Sequence, residues 1–190
     1  PSDRSGARFA GHVGNAHRTA LSPHGYPVTG YNKIYAIHRP LQDGRVLRIE
    51  RDWTPVPVDS KDREALTVLN AYYAKNNHVP APTVPKEKPP WWSLLADEEG
   101  RIWVMRTVEA VFTPENERER KFGGLYGKPP NEWREPPTFD VISSRGLFLG
   151  RVVFPNMRTE IVVARGDQVW VIEEGKWGEH YVVRYRIKAG

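Results

Sequence analysis

"LLADEEGRIWVMR" (residues 94–106) and "FDVISSRGLFLGRVVF" (residues 139–154) decide the fold class of this chain. Each is a β-rich run, a turn holding glycine, and a second β-rich run. Glycine supplies the positive φ that a tight hairpin requires, with Asp, Ser or Pro helping to start the turn. The flanking runs alternate and are rich in Val, Ile, Phe and Trp, as half-buried strands are. The same sketch returns in "TALSPHGYPVTGY" (19–31), "AIHRPLQDGRVLRIER" (36–51) and, more loosely, "EIVVARGDQVWVIEE" (160–174). Repeated short hairpins predict an all-β antiparallel fold, either propeller-like sheets or a compact β-barrel or sandwich.

Composition agrees. The 190 residues suit a single domain, with 39% hydrophobic residues and seven Trp to fill a core. Seventeen Pro and sixteen Gly fit short strands joined by turns better than they fit helices. No run approaches the ~18–20 apolar residues of a membrane-spanning helix. Cysteine is absent, which excludes disulfides, thiolate metal sites and cysteine nucleophiles. The net charge is +5, but signs alternate in "RIERDW" and "ENERERK", a solvated-surface pattern that does not favour nucleic acid.

Three stretches interrupt the hairpins. Residues 59–76 predict one short inserted helix, capped by Asp59 or Ser60, with Asp62 and Glu64 in an acidic first turn and Ala65, Leu66, Leu69, Tyr72 and Tyr73 on one apolar face. Residues 76–90 form a Pro-rich connector. Residues 113–137 are polar and too long for an ordinary hairpin loop, so a flap or a flexible surface loop is expected.

The hairpins group in pairs, giving units of about 8–58, 89–155 and 156–188, the last with only three strands. The paired order "SLLADEEGRIWV" then "FDVISSRGLFLGRVVFP" resembles blades of the bacterial six-bladed β-propeller family. Propellers close with about 4–8 blades. The resemblance therefore implies an unclosed half, with residues 7–13 as candidate outer strand for the last unit. It also implies a periplasmic or secreted location, which fits a chain beginning at Pro1 rather than Met.

In such a family, ligands meet the loops on one face. Here that implies Asn15, His17, Arg18, Asn32, Trp91, Trp92, the 113–137 insertion, Asn156, Arg158 and Trp177. One indole of Trp91–Trp92 is expected between sheets and the other at a channel mouth. The Asp97–Gly100 turn would lie on the far side, with Glu98 and Glu99 as a solvated tip and Trp103 and Trp170 in the core. Some propeller hydrolases hold a divalent cation, such as calcium, on their channel floor. The corresponding residues would be Asn15, Asn32 and Asn156, with Glu173 and Glu174 the nearest carboxylates. His12, His17 and His24 match no zinc spacing. There is no G-x-S-x-G elbow and no phosphate loop.

The leading expectation is a non-catalytic interaction or assembly module without a cofactor, completed by a second copy or a protein partner. A lactonase-like metal-dependent hydrolase is one alternative. A carbohydrate binder using Trp91, Trp133 and Trp177 as stacking platforms is the other.

Overall fold

The computed structural model describes residues 15–130 and 132–188. The strand expected in residues 7–13, and His12, lie outside the described residues. Strand accounts for 40% of the chain and helix for 16%. The hairpins close at the expected glycines, with φ of +72° at Gly100 and +86° at Gly146.

The first sheet is an antiparallel meander of β1 (His17–Leu21), β2 (Pro27–Tyr31), β3 (Ala36–Pro40) and β4 (Val46–Glu50). Helix α1 (Ser60–Asn77) follows. The second sheet begins with β5 (Trp91–Ala96) and β6 (Ile102–Arg106). The chain then leaves it for a two-stranded hairpin, β7 (Val111–Phe112) and β8 (Trp133–Arg134), which brackets α2 (Glu117–Tyr126). It returns as β9 (Thr138–Ile142) and β10 (Phe148–Val153), giving the spatial order β5-β6-β9-β10. The third sheet is the meander β11 (Thr159–Arg165), β12 (Gln168–Glu174) and β13 (His180–Arg186). Among the described residues, no sheet closes into a barrel.

The second sheet is the middle layer. One face packs Trp91, Ile102, Val104 and Ile142 against Val28, Ile37 and Ile49 of the first sheet. The other packs Trp103, Met105, Phe139 and Val141 against Ala164, Val169 and Val171 of the third. Successive residues of a strand point to opposite faces, so β6 and β9 read as continuous apolar runs because both faces are covered.

Several expectations need correcting. The inserted helix itself is as expected, 18 residues long and capped by Asp59, whose carboxylate accepts the Asp62 N–H at 2.8 Å, but its buried face differs. Its buried side chains are Asp62, Leu69, Asn70 and Ala74, while Ala65, Leu66, Tyr72 and Tyr73 are only half-buried. The 113–137 segment is no plain loop: it contains α2 with a full Asn116–Glu119 capping box. The Asp97 turn is not a bare tip either. Asp97 is buried and accepts the Trp103 indole N–H at 2.9 Å and the Arg101 N–H at 2.8 Å. Glu99 accepts the Gly166 N–H at 2.7 Å, and Arg101 donates to the Gly166 carbonyl at 2.7 Å. That turn sews the second sheet to the third. Trp103 is core as expected, but Trp170 lies opposite Val169 and Val171 on the outer face of the third sheet.

Trp91 is fully buried and donates its indole N–H to the Ile34 carbonyl at 3.0 Å. Gly30 makes room for it: a Cβ there would lie 2.7 Å from the Ala36 carbonyl oxygen and 2.8 Å from Trp91 Cζ2. Gly124 in α2 has open space around its Cα. Gly30→Ala should therefore destabilise the fold by about 1–3 kcal/mol through overpacking, whereas Gly124→Ala should leave it unchanged or up to about 1 kcal/mol more stable. Urea unfolding midpoints of the two variants should move in opposite directions or, at most, only the first should move.

Candidate functional site at the loop end of the sheets

Because each sheet is a meander, the starts of β1, β5 and β11 fall at the same end as the finishes of β2, β4, β6, β10 and β12. The loops singled out from the sequence all sit there. They form separate hydrogen-bond networks rather than one cluster.

The first network joins the first and second sheets. Asn32 is fully buried; its Oδ1 accepts the Ala16 N–H at 2.6 Å and its Nδ2 donates to the Trp91 carbonyl at 3.0 Å. Both ends of the amide are thus used on backbone groups, and Asn32 acts as a staple. Asn15 is exposed and Arg18 half-buried, and the His17 ring packs against Tyr31 with centroids 4.8 Å apart and planes tilted by 32°.

The second network joins α2 to the third sheet. Arg158 donates to Glu119 Oε2 at 2.7 Å and to the Pro114 carbonyl at 2.8 Å. Arg134 holds the other oxygen of Glu119. Asn116 and the Glu117 N–H reach the Gly175 and Lys176 carbonyls at 3.3 and 2.9 Å. Asn156 donates to Glu173 at 3.0 Å and accepts the Arg158 N–H at 2.9 Å. Glu173 also accepts the Tyr185 hydroxyl at 2.6 Å. Burial first, and then that carboxylate, push the Tyr185 phenol up to about 12. Asn32 and Asn156 therefore serve different networks. Among the described residues, no three His, Asp or Glu are grouped to hold a metal ion.

Trp92 is half-buried, with its indole N–H donating to Glu135 at 2.8 Å. Glu135 also takes the buried Lys88 ammonium at 3.1 Å, which pairs with Asp62 of α1 at 2.6 Å. Burial would lower the Lys88 pKa, but Glu135 and Asp62 outweigh it and hold the amine above its ordinary range. Of the three stacking candidates, Trp91 offers no surface, and Trp133 is half-buried between Phe112 and Lys61. Trp177 is 66% exposed.

A further group at this end was missed from the sequence. Asp140 of β9 is fully buried and accepts from Arg106 at 3.1 Å, Arg151 at 3.0 Å and the Tyr35 hydroxyl at 3.1 Å. Arg51 stands 3.9 Å away. Burial and then the Asp140 charge raise the Tyr35 pKa strongly. The three arginines line a cavity of about 550 Å3 together with Trp53, Pro55, Val56 and Val108. The signal was present: an Asp inside the apolar run "TFDVI" needs buried partners.

No protein-family model, curated protein or solved structure matches the chain.

The α2 latch yields a pH test. Burial alone would raise the Glu119 pKa, but the bonds from Arg158 and the Asn116 backbone and the charges of Arg134 and Arg158 outweigh it, so it titrates below the usual 4.5. A depressed pKa contributes stability that is present above pH 4.5 and lost as pH falls through the lower, folded-state value. Glu119→Gln should cost about 1–3 kcal/mol at neutral pH. The gap to wild type in urea titrations should close as the pH is taken below 4.5.

Proposed function

We propose that this chain is a non-catalytic, β-propeller-like interaction module that continues its stack of sheets by association, in the simplest case with a second copy of itself. The observation that carries this reading is Trp170. Its indole is half-buried and outside the core cluster, on an outer sheet face shared with Val163, Ile172, Val182 and Arg184. Val182 is 77% exposed, and no described sheet packs on that face.

The first sheet also exposes apolar side chains outward, beside the ion pair of Arg48 and Glu50. Leu21 and Val46 of its outer face are exposed at 73% and 59%. The middle sheet, by contrast, is covered on both sides by sheets of the same kind, which is the packing the outer faces would accept. Exposed apolar faces of this sort favour association. Two copies would bring together six such sheets, the number in the family that the hairpin motifs resemble.

In sedimentation equilibrium, the wild-type chain should assemble to twice its monomer mass. Trp170→Arg combined with Val182→Glu should return it to the monomer without changing its far-ultraviolet circular dichroism. A wild-type chain that stays monomeric at every concentration, or a double variant that still dimerises, refutes the self-association reading.

A further inference from the structure

The Asp140 cleft lies apart from the two outer sheet faces. Three guanidinium groups, of Arg51, Arg106 and Arg151, share the one buried carboxylate of Asp140. Each guanidinium carries five N–H donors, and Asp140 accepts one hydrogen bond from Arg106 and one from Arg151. Arg51 Nη1 and Arg106 Nε are buried without a hydrogen-bond partner. A fold that needed only to neutralise Asp140 would need one arginine. Those two buried nitrogens are shut off from solvent, so an anion in the cleft would use the outward N–H groups of the three arginines that line it. One carboxylate taking a single bond from each of Arg106 and Arg151 leaves that donor set better matched to a second anion than to Asp140 alone.

The surroundings define which anion. Asp52 and Glu109 also line the cavity, but both are exposed at its rim, where solvent screens them. The guanidinium of Arg51 is held in place over the Phe148 ring at 3.5 Å. Trp53, Pro55, Val56 and Val108 give the same cavity an apolar wall. The volume of about 550 Å3 falls within the range of small-molecule pockets. A bare inorganic ion would leave the wall unused, and a neutral apolar molecule would leave the guanidinium donors unused. From this geometry we infer that the cleft binds a small organic carboxylate, its carboxyl on Arg51, Arg106 and Arg151 and its apolar body against Trp53 and Val56.

The test uses benzoate, neutral benzamide and inorganic phosphate, titrated into the 15N-labelled full chain with the Trp53 indole N–H as reporter. Benzoate should shift that signal saturably, and benzamide should not. Arg151 is half-exposed and Asp140 keeps Arg106, so Arg151→Gln should fold and should weaken benzoate about ten-fold or more. Arg145→Gln, in an exposed turn at the opposite end of the sheet, should bind as wild type. Added salt should weaken benzoate in the wild-type protein, a reading that needs no variant. The inference is overturned by no saturable benzoate shift, by an equal response to benzamide, or by equal losses in the Arg145 and Arg151 variants. Phosphate binding as tight as that of benzoate refutes the organic-carboxylate class.

Discussion

The structure depends on the burial of its second sheet on both faces. Ile102, Val104 and Ile142 look one way, and Trp103, Met105, Phe139 and Val141 look the other. A single antiparallel sheet with two apolar faces cannot be stable in water alone. It therefore fixes the first and third sheets as its covers, and with them the position of every loop between the sheets. Trp91 sets the spacing on the first side, because its indole lies over Gly30 where no side chain would fit.

Apolar packing brings the layers together, and buried carboxylates fix how they meet. Asp97 anchors the turn whose Glu99 and Arg101 grip the third sheet. Asp140 gathers an arginine from each of β6 and β10, with a third, Arg51, just beyond β4, and so ties the second sheet to the first. Glu135 collects Lys88, Trp92 and the Val108 N–H beneath α1. In each case the cost of burying the charge is offset by several charge-assisted hydrogen bonds at once. Removing one partner from such a network would leave a buried charge uncompensated.

The insertion between β6 and β9 extends this logic to the surface. Its helix is capped by Asn116 and locked through Glu119 to Arg134 and Arg158, which places it over the β12–β13 turn. The loop end of the molecule thus carries a folded element beside the third sheet and an arginine-lined cleft between the first two. Among the described residues, the opposite end carries the hairpin turns and the end of β13. The asymmetry follows from the meander topology, which returns every long connection to one end.

Much of the fold was legible before any coordinate. The Asp–Gly and Ser–Arg–Gly turns, the alternating runs and the capped helix after residue 58 are local features, and local sterics fix them. Asn32, by contrast, reads as an available loop amide, and only its contacts with Ala16 and Trp91 show that it is spent. Glu119 and Arg158 lie 39 residues apart, and Tyr35 and Asp140 lie 105 apart. No local pattern encodes such pairs. What the amino-acid sequence determined by itself was the hairpins, their pairing into sheets and the helix start, because those depend on backbone conformation and period. What only the tertiary structure decided was which faces are covered and which charges meet, because burial is a property of neighbours brought together across the chain.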